Sequence, residues 1–204
     1  MSDLGALLEQ LRPYVSDPRV LAAVAAVPRE SFVSDVDRVR AYENVALPID
    51  CEQTISQPLV VARMLEVLSL KETDRVLDVG TGSGYHAALL SRLVAHVWTI
   101  ERHAELAAQA GATIARLGIE NVSFHVGDGY HGLPEHAPFD AVNVAAAIGT
   151  EVPVELEQQM ALGGRLVAPV GKRRQRLMLI RRTPAGFERQ QLEPVRFVPL
   201  VRDR

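Results

Sequence analysis

Apolar residues recur along this chain in two alternating patterns, short continuous runs and stretches with a spacing of three or four residues. Short apolar runs at 76–79 and 97–100 predict strands, the first of them rich in β-branched residues and buried, and further strands are predicted at 139–145 and 165–170. Residues 122–126 alternate between apolar and polar positions, which also predicts a strand. The spaced patterns predict two helices within 3–27 and further helices after Pro58, at 103–117 and at 153–160. Two last runs, at 177–180 and 195–200, predict an antiparallel hairpin. The alternation indicates an α/β fold built on a largely parallel sheet.

One stretch, residues 75–101, combines a strand, a glycine-rich turn, a helix, a second strand and a terminal acid. Gly80, Gly82 and Gly84 have no Cβ, so their turn can approach a ligand closely. Glu101, at the end of the second strand, can accept both hydroxyls of a ribose. The spacing G-x-G-x-G departs from the dinucleotide pattern G-x-G-x-x-G, and Asp78 before the loop suits a cationic ligand better than a phosphate.

Composition and charge exclude several classes of protein. A chain of 204 residues suits one domain, and its net charge of −3 gives no overall attraction to nucleic acid or to an anionic membrane. The single cysteine, Cys51, excludes an internal disulfide framework. The first residues lack the basic start and apolar run of a signal peptide, and no segment approaches the ~20 apolar residues of a membrane span. These features predict a soluble, cytoplasmic protein.

An irregular segment at 42–57 precedes the glycine-rich stretch, and a loop of this length in a compact domain is usually functional. Ser56 is followed by Pro58 and an apolar helical pattern, which predicts that the Ser56 side chain caps the helix. Asp17 before Pro18 predicts the same arrangement for an earlier helix.

Six stretches together resemble the protein-L-isoaspartate O-methyltransferases, in order and over nearly the whole chain. They are AYEN-x-ALPI (41–49), QTISQP-x-VVARM (53–64), VLDVGTGSGYHAALLS (76–91), GDG (127–129), GGRLV-x-PVG (163–171) and FVPL (197–200). The glycine-rich loop by itself indicates only a class I methyltransferase, whereas Q-T-I-S-x-P ahead of it is specific.

The resemblance implies a Rossmann-like class I methyltransferase fold of about seven strands, mostly parallel with an antiparallel strand at the end. It also implies one domain over 1–204, with N-terminal helices and a substrate loop in 1–70 covering the site of a core at 71–204. The implied cofactor is S-adenosyl-L-methionine (SAM), and Ser56 is the implied catalytic residue. Substrate contacts would come from Gln53, Thr54, Ile55 and Ser56. The implied cofactor contacts are Asp78, Gly80, Thr81, Gly82, Ser83, Gly84, Glu101, Asp128 and Gly129.

The implied reaction is methylation of L-isoaspartyl residues in damaged proteins, which leads to their repair. A carboxylate has an ordinary pKa of about 4, so it is already an ionised nucleophile at pH 7. Methyl transfer from a sulfonium to this group needs neither a general base nor a metal, and positioning supplies most of the catalysis. The implied partners are isoaspartyl peptides or proteins, without nucleic acid or membrane, and the protein would be a monomer. The six histidines are scattered and predict no metal site, with His86 as the best candidate for a functional role.

Two departures from the family pattern both concern substrate recognition. The family commonly has I-G-x-G-Q-T-I-S, whereas this chain has acids at Asp50 and Glu52. A hydroxyl common in the family is missing at Ala145. The acids either point away from the substrate or indicate another carboxylate as the methyl acceptor, and a SAM-binding relative without repair activity is a further alternative. A basic run at 172–182 is interpreted as a solvated strand edge rather than an RNA site.

Overall fold

The computed structural model describes residues 3–202, which form nine strands and six α-helices. The helices are α1 Leu4–Leu11, α2 Pro18–Ala26, α3 Pro58–Val67, α4 Tyr85–Leu90, α5 Ala104–Arg116 and α6 Val154–Gln158. The strands are β1 Leu47–Pro48, β2 Thr54–Ile55, β3 Arg75–Val79, β4 His96–Glu101, β5 Val122–Val126, β6 Phe139–Val144, β7 Met160–Val170, β8 Gln175–Thr183 and β9 Gly186–Val195.

Seven of these strands form one sheet in the spatial order β5-β4-β3-β6-β7-β8-β9. Strands β3 to β7 pair in parallel, whereas β8 runs antiparallel to both β7 and β9. The predicted Rossmann-like sheet of about seven strands with an antiparallel end is confirmed. Strand order reverses between β3 and β6, and open α/β sheets bind their ligands at the carboxyl ends of strands beside such a switch point.

The central strands are apolar because helices and loops cover both faces of the sheet. Val76 on β3 lies in one apolar cluster, together with the N-terminal helices, while Leu77 and Val79 lie in the cluster on the other face. All three side chains are buried. Successive strand residues point to opposite faces, so a fully buried strand reads as a continuous apolar run. Each such side chain stabilises the fold by roughly 1.5–3 kcal/mol.

The N-terminal helices begin and pack as the sequence predicts. Asp17 caps α2 by accepting a hydrogen bond from the backbone N–H of Arg19, and Pro18 occupies the first turn. Helix α2 packs against α1, α3 and α4, on the same side of the sheet as Val76. No helix within residues 3–202 has the length and apolar character to cross a membrane. The division of the domain at residue 70 stays a prediction.

The predicted antiparallel hairpin is formed by β8 and β9, but the prediction that its second strand lies at 195–200 is wrong. Strand β9 ends at Val195, and the chain then crosses to the end of β6. There the N–H of Ala147 donates to the carbonyl of Val198, and the N–H of Leu200 donates back to Ala147. Pro199 lies between Val198 and Leu200, and it has no N–H to donate to a neighbouring strand. The crossing brings residues 197–201 to the carboxyl edge of the sheet.

Candidate active site

The loop after β3 has a backbone that only glycine adopts without strain. Gly80, Gly82 and Gly84 have φ values of 92°, 52° and 90°. A Cβ at Gly84 would also lie 3.0 Å from the Cβ of Ala110 on α5. Glycines therefore allow the loop to turn tightly and allow α5 to approach the start of α4, as the sequence predicts for a ligand-binding turn.

Glu101 closes β4 with its carboxylate held against this loop. Its Oε2 accepts a hydrogen bond from the Gly82 N–H at 2.9 Å, and its Oε1 accepts one from the His103 N–H at 3.1 Å. The residue is only 7% exposed, so these backbone donors fix the carboxylate in one orientation. Each oxygen keeps further acceptor capacity, which suits a pair of ribose hydroxyls.

Asp78 lies beneath the loop rather than on the wall of the site. Its oxygens accept hydrogen bonds from Thr99 Oγ1 at 2.9 Å and from Asn143 Nδ2 at 2.7 Å. Burial raises the pKa of its carboxyl to about 6, against the lowering effect of these two donors. Asp78 can therefore act on a ligand through its charge and through the side chains that it holds.

Asn143 connects Asp78 to His86, and sequence reasoning assigned no role to Asn143. Its Nδ2 lies 3.0 Å from His86 Nδ1. Burial and, to a lesser extent, the positive charge of Arg29 lower the pKa of His86 to about 4, so the ring is neutral at pH 7. The only signal in the sequence was that Asn143 is a polar residue inside an apolar strand. Buried polar side chains in proteins normally have a hydrogen-bond partner.

A cavity of about 310 Å³ opens at the carboxyl ends of β3, β4, β5 and β6. Most residues predicted to bind cofactor or substrate line this cavity. These are Gln53, Thr54, Ile55, Ser56, Gly80, Thr81, Gly82, Ser83, Glu101 and Gly129. Its lining does not include Asp78, Gly84 or Asp128. Ala145, where the sequence lacks a hydroxyl, lies in the lining, and Ala146 and residues 198–201 contribute apolar surface that sequence reasoning did not assign.

Gly129 keeps the far wall of the cavity close to β3. A Cβ at this position would lie 2.6 Å from Val79 Cγ1 and 3.3 Å from Leu200 Cδ1. The neighbouring Asp128 accepts a hydrogen bond from the Tyr130 N–H at 2.9 Å, which stabilises the turn after β5. The predicted pair thus shapes the end of the cavity, with Gly129 on its wall.

Ser56 does not cap α3, and this prediction is wrong. The helix begins at Pro58 after Gln57, and Oδ1 of Asn44 accepts the hydrogen bond from the Leu59 N–H at 3.0 Å. Because Asn44 accepts this hydrogen bond, the Ser56 hydroxyl is not used for capping, and it has no hydrogen-bond partner among residues 3–202. The Ser56 carbonyl instead accepts a 2.9 Å hydrogen bond from Arg29 Nη2.

Ser56 lies where two cavities meet. It lines the 310 Å³ cavity and also a more open groove of about 770 Å³, which we call the acceptor groove. The acceptor groove runs between two walls, one formed by Thr54, Ser56 and Gln57 and the other by residues 194–199. A group held at Ser56 can therefore reach one ligand in the 310 Å³ cavity and a second ligand in the acceptor groove.

Arg29 places a positive charge behind Ser56. Its side chain is fully buried, and its guanidinium lies 4.9 Å from the centre of the Tyr85 ring. Burial lowers the pKa of Arg29, but an arginine remains charged at neutral pH. No carboxylate forms an ion pair with Arg29 within the described part of the chain.

The two unusual acids, Asp50 and Glu52, point in different directions. Asp50 is exposed, and its Oδ2 accepts a hydrogen bond from Gln109 on α5 at 3.0 Å. Glu52 is exposed at the rim of the cavity and belongs to its lining. Cys51 and Glu52 have φ values of 56° and 57°, so both central residues of this turn lie in the left-handed region. This backbone explains why glycine is common at the position of Glu52.

The structure also gathers three possible metal ligands that the sequence did not indicate. Ligand atoms of His125, Glu135 and His136 lie within 4.8 Å of one another. The imidazole of His136 stacks on Trp98. The ring of His125 packs edge-on against the ring of His136, with 4.9 Å between the two ring centres. Aromatic packing accounts for the positions of the two histidines, and none of the three residues lines the 310 Å³ cavity.

Comparison with known proteins agrees with this geometry. The sequence model of the protein-L-isoaspartate(D-aspartate) O-methyltransferase family matches residues 3–204. A protein-L-isoaspartate O-methyltransferase of Roseiflexus castenholzii is 53% identical over 192 residues, which cover 94% of this chain and 88% of the relative. The enzyme of the same name from Serratia proteamaculans is 50% identical over 197 residues, covering 96% and 94% of the two chains.

Solved structures show the same likeness. One protein-L-isoaspartate O-methyltransferase superposes with a TM-score of 0.87 and 32% identity, and the match covers 97% of this chain but 65% of that one. A β-aspartate methyltransferase structure from Plasmodium falciparum, in complex with S-adenosyl-L-homocysteine, has a TM-score of 0.87 at 27% identity, over the whole of both chains. The family predicted from the sequence is thus confirmed: the chain belongs to the protein-L-isoaspartate(D-aspartate) O-methyltransferases.

Proposed function

We propose that this chain transfers a methyl group from SAM to the free α-carboxylate of an L-isoaspartyl residue in a damaged protein. Membership of the family supports SAM-dependent carboxyl methylation as the reaction class. The observation that carries the proposal is the position of Ser56, on the wall shared by the 310 Å³ cavity and the acceptor groove. Methyl transfer requires two ligands that meet end to end at one point, and a wall shared by two cavities suits this requirement.

The residues that line the 310 Å³ cavity suit the chemical groups of SAM. The Glu101 carboxylate, held by the N–H groups of Gly82 and His103, would bind the ribose hydroxyls. Ile100, Ala146 and Leu200 offer apolar surface for the adenine ring. Two carboxylates, Glu101 in the wall and Asp78 beneath it, suit a ligand that carries a sulfonium cation.

When bound, SAM supplies an electrophilic methyl group on a positively charged sulfur. The chain has to place the substrate carboxylate in line with this group and to exclude water. An ionised carboxylate loses no proton in the reaction, so the transfer needs no proton shuttle from neutral His86 or from Asp78 beneath the loop. The residues around the cavity therefore position and desolvate the reactants.

Ser56 and Arg29 would select and orient the methyl acceptor. The serine hydroxyl, free of a cap hydrogen bond, can donate to a carboxylate oxygen or to the substrate backbone. Arg29 fixes the Ser56 backbone and adds a buried positive charge, which attracts the isoaspartyl carboxylate more strongly than an exposed charge would. Because Asp50 points toward α5, only Glu52 of the two acids opposes this attraction.

Several finer parts of the prediction stay predictions. They are the monomeric state, the cytoplasmic location, the absence of a nucleic-acid partner and the roles of individual residues. Methylation of another carboxylate is the competing function, and Glu52 at the cavity rim is the observation that favours it.

Kinetics with labelled SAM and a short isoaspartyl peptide would test the proposal. Ser56→Ala is expected to lower kcat/KM for the peptide by about tenfold to a hundredfold and to leave the Kd for SAM unchanged. Glu101→Gln is expected to weaken SAM binding by about tenfold or more, because the loss of a charged acceptor costs roughly 1.5–3 kcal/mol. Ser91→Ala at the end of α4 and Glu105→Gln on the exposed surface of α5 serve as matched controls.

The opposite pattern would refute the assignment of the two sites. If Ser56→Ala weakens SAM binding while peptide kinetics stay normal, the 310 Å³ cavity and the acceptor groove have been assigned the wrong ligands. Turnover on an aspartyl peptide alone would favour the competing function.

A further inference from the structure

A third cavity, which we call the basic cavity, adjoins the acceptor groove. Its volume is about 920 Å³, and it lies between the turn that connects β7 with β8 and the segment after β9. Five cationic side chains line it, and its lining contains no acidic residue. The five are Lys172, Arg173, Arg174, Arg176 and Arg196.

These cations are not neutralised within the described part of the chain. No carboxylate forms an ion pair with any of the five, whereas most other surface arginines have one. Arg176 donates its Nε–H to the Leu192 carbonyl at 2.8 Å, which fixes its side chain in place. The whole protein carries a net charge of −3, so this cavity is a positive region on a protein that is negative overall. Like charges gathered in one cavity repel each other until an anion binds.

The turn that carries three of these cations has a defined shape. Gly171 has a φ of 130°, and a Cβ there would lie 2.2 Å from the Arg174 carbonyl oxygen. The turn is therefore compact, and residues 172–174 line the same cavity as Arg196. The residues of this turn and Arg181 are exposed, as the sequence interpretation expects, but β8 pairs with a strand on each side and is not a strand edge. Unlike Arg181, residues 172–174 line the basic cavity.

The basic cavity and the acceptor groove share one wall. Residues 194–197 and Pro199 line both, so Arg196 faces each of them. The acceptor groove contains Ser56, where the methyl acceptor is expected to lie. A peptide in extended conformation advances about 3.3–3.6 Å per residue, so a peptide that runs from Ser56 along the acceptor groove toward residues 194–197 would approach the cationic side chains.

We propose that the basic cavity binds acidic residues that flank the isoaspartyl residue, so that this enzyme prefers damaged sites in acidic sequences. The inference rests on the proposed function and specifies its substrate class. A peptide is favoured over a nucleic acid because the cations adjoin the acceptor groove in one cavity and form no stripe along the surface.

Steady-state kinetics with three isoaspartyl peptides would test the proposal. One peptide has alanine and glycine flanks, and the other two carry glutamates two and three residues before or after the isoaspartyl residue. At least one acidic peptide is expected to have a KM about fivefold below that of the neutral peptide, since each exposed ion pair contributes modestly. The difference should shrink in 0.5 M NaCl, where exposed charges are screened.

A triple variant, Lys172→Gln with Arg173→Gln and Arg174→Gln, is expected to remove this preference without changing kinetics on the neutral peptide. The matched control replaces Arg12, Arg38 and Arg181 by glutamine, which changes the net charge equally at positions that line none of the cavities. This control should keep the preference.

Equal KM values for acidic and neutral peptides in the wild type would overturn the proposal. It would also be overturned if single-stranded RNA bound the wild type but not the triple variant while all three peptides behaved alike, which would mark a nucleic-acid site. If no isoaspartyl peptide is methylated, the proposed function fails. Binding of the labelled acidic peptides, measured by fluorescence anisotropy, would then still decide whether the basic cavity takes them.

Discussion

Replacement of Glu52 by glycine is expected to stabilise the protein and to improve its affinity for anionic substrates. Glu52 has a φ of 57°, which costs a residue with a Cβ about 1–2 kcal/mol relative to glycine. The greater freedom of glycine in the unfolded chain offsets about 0.4–1 kcal/mol of this gain. The net gain of about 0.5–1 kcal/mol should raise Tm by roughly 1–4 °C for a chain of this length.

The same substitution removes a negative charge from the rim of the cavity. A carboxylate ~6 Å from a bound anion costs about 0.7 kcal/mol in water, so the KM for an isoaspartyl peptide should fall about threefold. Thermal unfolding and methyl-transfer kinetics measure the two effects separately. Glu52→Gln separates their causes, because it keeps the strained backbone and removes only the charge.

Asp50→Gly provides the second control for this prediction. Asp50 has no positive φ and accepts a hydrogen bond from Gln109, so glycine there should lower stability by about 1 kcal/mol. If Glu52→Gly lowers Tm as Asp50→Gly does, the strain argument is refuted. If Glu52→Gln leaves KM unchanged, the carboxylate does not face the substrate.

Two further predictions concern the SAM cavity. The Asp78 carboxyl has a pKa of about 6 in the folded protein and an ordinary pKa of 3.8. Its contribution to the stability of the folded protein is therefore fully present below pH 3.8 and is lost as the pH rises through 6. In Asp78→Asn, denaturant unfolding between pH 4 and 7 should lack this loss, and SAM should bind more weakly at pH 7 by calorimetry. Gly129→Ala would place a Cβ 2.6 Å from Val79 and displace Leu200, so stability should fall by about 1–3 kcal/mol and the Kd for SAM should rise.

Each of these predictions has a result that contradicts it. Parallel pH profiles for the wild type and Asp78→Asn would show that this carboxyl does not titrate between pH 4 and 7. For Gly129, the matched variant is Gly149→Ala, where a Cβ would meet nothing within 4 Å. Equal SAM affinity in the two alanine variants would mean that the Gly129 wall does not shape the cofactor cavity.

The sequence predicts the glycine-rich site well because its determinants are local. Strand β3, the loop and Glu101 lie within one βαβ unit, where apolar runs, glycine spacing and a terminal acid each have a direct structural meaning. The central sheet follows for the same reason, since fully buried strands appear as continuous apolar runs.

The wrong predictions depend on contacts between distant residues. The cap of α3 comes from Asn44 rather than from Ser56, and a helix-start pattern cannot reveal an acceptor in another loop. The segment after Val195 has strand-like residues but pairs with Ala147 in an isolated bridge. Asn143 holds Asp78 across 65 positions of sequence. The basic cavity likewise forms only when the turn at 172–174 meets Arg196 in the folded chain.

The most direct test of the central claim compares an isoaspartyl peptide with its aspartyl twin in the presence of labelled SAM. We expect label on the isoaspartyl peptide alone, as a methyl ester that mass spectrometry places on the α-carboxylate, and its strong reduction in Ser56→Ala but not in Ser91→Ala. If SAM binds and neither peptide is labelled, or if the twin is labelled equally, the account of Ser56 and the acceptor groove is contradicted.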